Sequence, residues 1–378
     1  SCRGSGRLIP VRLPAIEAAA AIRAAWDSGD AVLVLDPRAP QPEVEGILDR
    51  MRPGTGVGPD VAAVVVTSGT AGAPKGVELT WDGLAASGAA VASALEVEPG
   101  DRWLACLPLQ YVAGLAVLGR AWTTGTPVTV LERFDVTAVA GADASLVSLV
   151  PTMVRRLREA GTDLERFRRI LLGGGPVREE GPNIVATYGL TETWGGVVHD
   201  GHALEGVELS LGPGDEILVR GPMVMRGYRL APEETAAAFT ADGWLRTGDA
   251  GTIDADGRLR VVDRLRDLII SGEVNVSPSE VEAVLAQHPA VADVCVVGAP
   301  DPEWGERVVA HVVPKEEHAP PGLAELRAFA ADHLSAAKLP RAVVVTDVIP
   351  RTAGGKPLRR VLARGMVRPA DETSGGRR

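Results

Sequence analysis

Apolar positions follow one pattern up to about residue 209 and another beyond it. Between Val61 and Leu172, short apolar runs with the length of buried strands alternate with stretches of helical periodicity. Beyond Leu209 the apolar runs are joined by turn signals such as Asp256-Gly257, which are typical of antiparallel strands. The first pattern predicts a largely parallel α/β sheet with ligands at the strand ends. The second predicts a small antiparallel subdomain followed by an α+β domain.

Several elements are marked clearly enough to be given bounds. Thr80 is the predicted N-cap of a helix that continues to about Leu95, because its hydroxyl can accept from a main-chain N–H of the first turn. Ser277-Pro278-Ser279-Glu280 has the form of a capping box with proline at the first helical position. The other predicted helices are Ala15–Trp26, Met153–Ala160 and Leu323–Leu334. The predicted strands are Ala31–Leu35, Val61–Val66, Ala144–Val150, Ile170–Leu172, Glu216–Arg220, Gly251–Ile253, Arg258–Val262, Val291–Val297, Arg307–Val313 and Ala342–Val345.

The composition of the chain argues against several classes of binding partner. The net charge is -10 and no basic cluster offsets it, which argues against a nucleic-acid ligand. The cysteines Cys2, Cys106 and Cys295 are far apart and odd in number, so we expect a reducing cytoplasm and neither a disulfide framework nor a metal site. Apolar stretches stay below the ~18 residues of a membrane span, so no membrane insertion is expected. The polar tail over 368–378 is expected to be disordered.

The candidate chemistry begins directly after the strand predicted over Val61–Val66, in the run Thr67-Ser68-Gly69-Thr70-Ala71-Gly72-Ala73-Pro74-Lys75-Gly76. Glycines let main-chain N–H groups approach an anion, hydroxyls add donors, and a lysine adds a mobile charge. The run therefore predicts a phosphate cradle. It differs from the common loop G-x-x-x-x-G-K-[ST], because Pro74 precedes the lysine and Gly76 follows it. Lysine is rare in this chain, and a second one, Lys356, also lies in a glycine-rich segment.

Four further segments follow this run in order. They are Tyr188-Gly189-Leu190-Thr191-Glu192-Thr193, Trp244-Leu245-Arg246-Thr247-Gly248-Asp249, Asp263-Arg264-Leu265-Arg266-Asp267 with the later Asn275-Val276-Ser277-Pro278, and Pro350-Arg351-Thr352-Ala353-Gly354-Gly355-Lys356. Each is weak alone. In this order and spacing the five segments resemble the adenylate-forming superfamily of acyl-CoA synthetases, adenylation domains and luciferases, from about Val61 to Arg360.

That resemblance implies a two-step reaction with ATP, Mg²⁺ and coenzyme A. A carboxylate attacks the α-phosphate of ATP, giving an acyl-adenylate and pyrophosphate, and a thiol then displaces AMP. The residues expected to hold the β- and γ-phosphates are Thr67, Ser68, Gly69, Thr70, Gly72 and Lys75. Those expected around adenine and ribose are Gly174, Gly175, Tyr188, Gly189, Asp249 and Arg264.

The catalytic roles that the resemblance implies belong to three residues. Glu192 would be the carboxylate ligand of Mg²⁺, with Thr70 as a further ligand, since a hard cation prefers oxygen. Thr191 would donate to the α-phosphate. Lys356 would bridge the attacking carboxylate and the α-phosphate, where charge builds up in the transition state.

The resemblance also implies a domain division and an acyl pocket. An adenylate-forming domain would span 1–264 and a mobile lid domain 265–367, with a hinge at Arg266 that lets the lid serve each half-reaction in turn. The acyl pocket is expected to be lined by Tyr111, Val112, Gly114, Ser148, Pro151 and Gly173. Tyr111 stands where the family often has histidine, so this wall departs from the family pattern.

Substrate and acceptor are less well defined. The short stretch before the phosphate cradle, the alanine- and arginine-rich composition and Ser148–Thr152 are most similar to the short actinobacterial o-succinylbenzoate–CoA ligases of menaquinone synthesis. Glu273 stands where the family usually has a second glycine, in a loop that faces the site during thiolation. An adenylating enzyme with another small, aromatic or fatty acid, or with a carrier-protein thiol or amine as acceptor, therefore stays open. So do a non-catalytic nucleotide-binding protein and a homodimeric assembly.

Overall fold

The computed structural model describes residues 5–68, 74–175, 177, 181–271, 274–316, 319–351 and 357–364, which form two compact units. The first unit comprises the residues up to Gly212 together with Ile217–Thr247 and Ile253–Arg260. The second comprises Pro213–Glu216, Gly248–Thr252 and the residues from Val261 onward. The domain limits expected at residues 264 and 367 stay predictions, and the tail over 368–378 lies outside the described residues.

The described strands are numbered here in chain order. They are β1 Leu8–Val11, β2 Ala31–Val34, β3 Val61–Ser68, β4 Pro74–Thr80, β5 Trp103–Ala105, β6 Val128–Val130, β7 Leu146–Leu149, β8 Arg169–Leu172, β9 Ile184–Leu190, β10 Gly195–His199, β11 His202–Ala203, β12 Glu208–Leu211, β13 Glu216–Arg220, β14 Gly227–Tyr228, β15 Leu245–Ile253, β16 Leu259–Arg264, β17 Ile269–Ser271, β18 Val274–Val276, β19 Val291–Asp301, β20 Gly305–Pro314 and β21 Ala342–Val345.

The described α-helices are numbered in the same way. They are α1 Ala15–Asp27, α2 Gln41–Met51, α3 Trp81–Ala94, α4 Val112–Thr124, α5 Val136–Gly141, α6 Pro151–Glu159, α7 Pro232–Ala238, α8 Pro278–Leu285, α9 Leu323–Ala331 and α10 Arg359–Arg364. Among the helices of the described residues, none combines the length and the apolar character needed to cross a membrane.

Two large sheets organise the first unit. One has the order β1-β2-β3-β4-β14, in which β1, β2 and β3 are parallel and the last two strands antiparallel. The second has the order β11-β10-β9-β8-β7-β5-β6. In it the five strands β9, β8, β7, β5 and β6 are parallel to one another. A smaller sheet has the order β12-β13-β15-β16. The sheets are thus mixed, within the α/β class expected from the sequence.

The main core of the first unit brings both large sheets together with α1, α3 and α4, through residues such as Ile22, Leu79, Trp103 and Leu118. Helices α3 and α4 approach closely because glycines face the contact. A Cβ added to Gly119 would lie 2.3 Å from Cδ1 of Leu84. This close packing fixes α4, which carries part of the candidate site.

The second unit is built on an antiparallel sheet with the order β18-β17-β20-β19, to which β21 adds in parallel beside β20. Helices α8 and α9 cover it, with Val281, Leu285 and Leu326 fully buried. Ser277 caps α8 as predicted, since its Oγ accepts from the N–H of Glu280 at 3.1 Å. This unit thus combines an antiparallel sheet with helices.

Candidate active site

The described residues of the phosphate-cradle segment lie on two paired strands of one β-hairpin. Strands β3 and β4 are antiparallel, and Thr67 lies opposite Lys75. The strand expected to end at Val66 continues to Ser68, and both Thr67 and Lys75 are strand residues. Cross-strand pairing holds Thr67 and Lys75 side by side. The side chain of Ser68, and Gly69, Thr70 and Gly72 entirely, lie outside the described residues.

The acidic segment forms a tight turn between β9 and β10. Thr191, Glu192 and Thr193 make one turn of 3-10 helix, in which the Thr193 hydroxyl accepts from the N–H of Leu190 at 3.0 Å and donates to the carbonyl of Gly195 at 2.8 Å. Trp194 follows in the left-handed region with φ 54°. Its indole N–H donates to the Thr80 carbonyl at 3.0 Å. The turn that carries Glu192 and Thr191 is therefore anchored to the end of β4 in the first sheet.

Gly189 is required by backbone packing in this turn. A Cβ at this position would lie 1.8 Å from the carbonyl oxygen of Gly195, which no side chain tolerates. The sequence analysis placed Gly189 in the nucleotide site, and the structure adds a steric reason for glycine at this position.

Tyr228 links the hairpin to the acidic turn, and sequence reasoning missed it. Its hydroxyl donates to Oε1 of Glu192 at 2.9 Å. Its ring centroid lies 4.8 Å from Nζ of Lys75. Lys75 and Glu192 are 117 positions apart in the sequence, yet both contact one side chain. The available signal was a lone tyrosine in Gly227-Tyr228, one of the three tyrosines in the chain.

The glycine segment after β8 lies against β9, as the adenine prediction requires. A Cβ on Gly173 would lie 2.8 Å from Cγ2 of Thr187, so this segment packs directly on the residue before Tyr188. Gly174 has φ 84°, which favours glycine, whereas Gly175 is exposed with open space around it. Tyr188 is half-buried against the main core. The structure brings these adenine candidates to neighbouring strands.

Gly173 follows the end of β8, and the other five expected acyl-pocket residues lie on three elements of the first unit. Ser148 is buried in β7, and Pro151 is the first residue of α6. The other three begin α4, where a Cβ on Gly114 would lie 2.3 Å from the Pro108 carbonyl oxygen. Tyr111 precedes Val112 and is 42% exposed; burial chiefly, and then the charge of Asp36, raises the pKa of its hydroxyl.

Arg120 is the least expected residue of this region. It lies six residues beyond Gly114 on α4, is 6% exposed, and its Nε has no hydrogen-bond partner among the described residues. Burial lowers the pKa of the guanidinium from 12.5 to about 10. A buried cation is costly unless it is paired, and none of the ion pairs of the described residues includes Arg120. The signal in the sequence was a single charge in an otherwise uncharged helix.

Polar groups on β9 and β10 lie near the Arg120 guanidinium. A Cβ on Gly195 would lie 3.3 Å from Nη2 of Arg120, and one on Gly196 would lie 2.1 Å from Oγ1 of Thr187. Within the described residues, Thr187 Oγ1 and both ring nitrogens of His199 are buried without a partner. Burial, and then the charge of Arg120, lowers the pKa of His199 to about 3, so the imidazole is neutral. Gly195 and Gly196, which lack a Cβ, leave space beside the Arg120 cation, the Thr187 hydroxyl and the neutral imidazole of His199.

In the second unit, the two ribose candidates contact each other. Nε of Arg264 lies 2.8 Å from Oδ1 of Asp249, which is 4% exposed. Asp263, beside Arg264, has a structural role: its Oδ2 accepts from the N–H of Ser279 at 2.9 Å and from the Ser277 hydroxyl at 2.8 Å, at the start of α8. The ion pair is consistent with a preformed ribose site.

The expected hinge residue and catalytic lysine also belong to this unit. Arg266 lies in a one-turn 3-10 helix, with its Nε 3.7 Å from Oδ1 of Asp267. Lys356 and Glu273 lie outside the described residues. Arg351 and Pro357, on either side of Lys356, form an isolated β-bridge. Nη2 of Arg351 also donates to both carboxylate oxygens of Asp293 at 2.8 Å.

The mixed α/β fold, with Lys75 and Glu192 both in contact with Tyr228, is what we expect of a nucleotide-binding enzyme. Comparison with known families agrees. Residues 20–214 match the AMP-binding enzyme family, and residues 280–356 match the AMP-binding enzyme C-terminal domain. The chain belongs to the AMP-binding enzyme family.

Individual relatives are similar over most of their length. A probable 2-succinylbenzoate–CoA ligase from Mycobacterium tuberculosis is 38% identical over 352 residues, covering 87% of this chain and 90% of the relative. The o-succinylbenzoate CoA synthetase from Bacillus subtilis, solved with its acyl-adenylate intermediate, has a TM-score of 0.83 at 30% identity, covering 95% of this chain and 88% of that one. The same enzyme has been solved with ATP and a magnesium ion. An amide bond synthetase from Marinactinospora thermotolerans has a TM-score of 0.82 at 28% identity, covering 96% and 90%.

Proposed function

We propose that this chain is an AMP-forming acid–CoA ligase that activates o-succinylbenzoate and transfers it to coenzyme A. In the first step a carboxylate oxygen attacks the α-phosphorus of ATP and pyrophosphate leaves. In the second the thiol sulfur attacks the acyl carbonyl and AMP leaves. Family membership supports this chemistry, and relatives named as 2-succinylbenzoate–CoA ligases support the substrate.

The observation that carries the substrate assignment is the buried Arg120. o-Succinylbenzoate has two carboxylates: one is activated, and the other must be held elsewhere as an anion. Arg120 offers a planar fork that matches a carboxylate, in a buried setting where the interaction is strong. The neutral His199 and the Thr187 hydroxyl add uncharged polar groups around Gly195 and Gly196. An acid with a single carboxylate would leave this cation unpaired.

The nucleotide site fits Mg²⁺ and ATP. Glu192 supplies a carboxylate oxygen, and within the described residues no group of three or more His, Cys, Asp or Glu forms a protein-only metal cage. This suits a cation held by one carboxylate together with phosphate oxygens. When bound, Mg²⁺ neutralises charge on the leaving pyrophosphate. Lys75, beside Thr67 in the hairpin, would hold the β- and γ-phosphates with Ser68, Gly69, Thr70 and Gly72, and Thr191 would donate to the α-phosphate.

The second unit would complete adenylation. We assign ribose binding to Asp249 and Arg264, and the bridge between the attacking carboxylate and the α-phosphate to Lys356. A turn of the C-terminal domain about Arg266 would exchange the adenylation and thiolation arrangements.

The test of the substrate is a product analysis by mass. The protein is incubated with ATP, Mg²⁺, coenzyme A and a panel of acids that includes o-succinylbenzoate and its analogue without the ring carboxylate. Thioester and AMP are expected with o-succinylbenzoate. Thioester formed as well from the analogue would contradict the role of Arg120. Adenylate without thioester would favour another acceptor, such as the amine suggested by the similarity to an amide bond synthetase.

The test of Lys356 separates binding from chemistry. Lys356→Ala should abolish adenylate formation, because the charge that builds between the acid and the α-phosphate loses its partner. ATP binding, measured by calorimetry, should stay nearly intact, since Lys75 and Glu192 remain. Lys315→Ala is the matched control. Adenylate formation at the wild-type rate in Lys356→Ala would remove Lys356 from the mechanism.

A further inference from the structure

Tyr228 is placed by strand register to face the hairpin lysine. It lies directly opposite Val77 in the antiparallel pair of β14 and β4. Lys75 is two residues before Val77 and points to the same side of the strand, so it is the diagonal neighbour of Tyr228, within reach of a long side chain. The observed 4.8 Å from Nζ to the ring centroid is within the range of a cation–π contact.

The short segment from Met225 to Tyr228 makes two hydrogen bonds to Glu192 in the acidic turn. The N–H of Met225 donates to the main-chain carbonyl of Glu192 at 2.7 Å. Three residues later, the Tyr228 hydroxyl donates to Oε1 of Glu192 at 2.9 Å. Main chain and side chain of Glu192 are thus both held from one short segment. A carboxylate held by one oxygen keeps its other oxygen available for a cation.

The tyrosine therefore lies between a cation and an anion that would otherwise attract each other. Lys75 contacts its ring and Glu192 accepts from its hydroxyl. Among the ion pairs of the described residues, none joins Lys75 to Glu192, although both contact the same side chain. A direct pair would neutralise the two charges that ATP and Mg²⁺ need.

We propose that Tyr228 is a positioning residue that keeps Lys75 and Glu192 apart and aims one at the phosphates and the other at the metal. The inference rests on the proposed binding of ATP and Mg²⁺ and is independent of the acid and of the acceptor. Two properties of the side chain are separable. The hydroxyl orients Glu192, and the ring holds Lys75 away from it.

The test measures the dissociation constant of ATP by calorimetry, with Mg²⁺ and with EDTA, in Tyr228→Phe and Tyr228→Leu. Tyr228→Phe keeps the ring, so ATP affinity in EDTA should stay within about twofold of wild type. The gain in affinity on adding Mg²⁺ should fall about tenfold, because Glu192 loses a hydrogen bond to its charged form. Tyr228→Leu should also weaken ATP in EDTA, by about fivefold, since Lys75 can then pair with Glu192.

Phe134→Leu is the matched control, because it removes a ring that lies 5.3 Å from the guanidinium carbon of Arg156 outside the nucleotide site. It should leave both dissociation constants unchanged. Equal losses with and without Mg²⁺ in Tyr228→Phe would indicate a merely structural tyrosine and overturn the proposal, as would wild-type values in both variants. If Tyr228→Leu fails to fold, as judged by its melting curve, Tyr228→Phe alone decides. No acid is present, so the result does not depend on the identity of the substrate.

Discussion

Replacing Arg120 with leucine should make the protein more stable and a poorer enzyme. Burial lowers the pKa of Arg120 from 12.5 to about 10, and at 1.36 kcal/mol per pKa unit the folded state bears a penalty of about 3 kcal/mol for this cation. Leucine has no charge to desolvate, though it leaves some space unfilled. Arg120→Leu should therefore raise the free energy of unfolding by about 1–3 kcal/mol, measured by urea denaturation at pH 7.

The same substitution should selectively impair o-succinylbenzoate. Loss of a buried charge-assisted contact should lower kcat/KM by about 100-fold. The analogue without the ring carboxylate should be used with nearly unchanged efficiency. Arg220→Leu is the matched control, because Arg220 pairs with Glu208 at the surface. Its loss should change the free energy of unfolding by less than about 1 kcal/mol. It should leave kcat/KM unchanged for both acids.

Two results would refute this reasoning. A destabilised Arg120→Leu would mean that the arginine is satisfied within the folded chain. Equal losses of activity with both acids would mean that the guanidinium does not recognise the second carboxylate.

Two other variants test particular contacts. Gly189→Ala places a methyl group 1.8 Å from the Gly195 carbonyl oxygen; the strands must separate, and thermal unfolding should show a loss of about 2–3 kcal/mol, whereas a neutral alanine would mean that the turn is pliable. Burial raises the pKa of Glu282 from 4.5 to about 7, although Arg359 lies 2.8 Å away and opposes the shift. A raised carboxyl pKa stabilises the folded state fully below pH 4.5, and this contribution is lost as the pH rises through 7, by up to about 3 kcal/mol. In Glu282→Gln the free energy of unfolding should depend less on pH between pH 5 and 8. An unchanged pH dependence would assign the titration to another group.

Local signals in the sequence determined many elements and the chemical class. The strands Glu216–Arg220 and Ala342–Val345 have the bounds predicted for them. Thr80 caps α3 as expected, because its hydroxyl accepts from the N–H of Gly83 at 3.1 Å. Capping and apolar periodicity act over a few residues, so one segment is enough to reveal them. The ordered motifs likewise identified an adenylate-forming enzyme.

Only the tertiary structure decided which distant residues act together. The pairing of Thr67 with Lys75 depends on the register of two strands, and the contact of Tyr228 with Glu192 joins elements 36 residues apart in sequence. Arg120 carries no motif; its significance comes from burial without a partner among the described residues, and burial is a property of the packed chain. The sequence by itself determined the reaction class, whereas packing decided which charges are paired within the protein and which are left for a ligand.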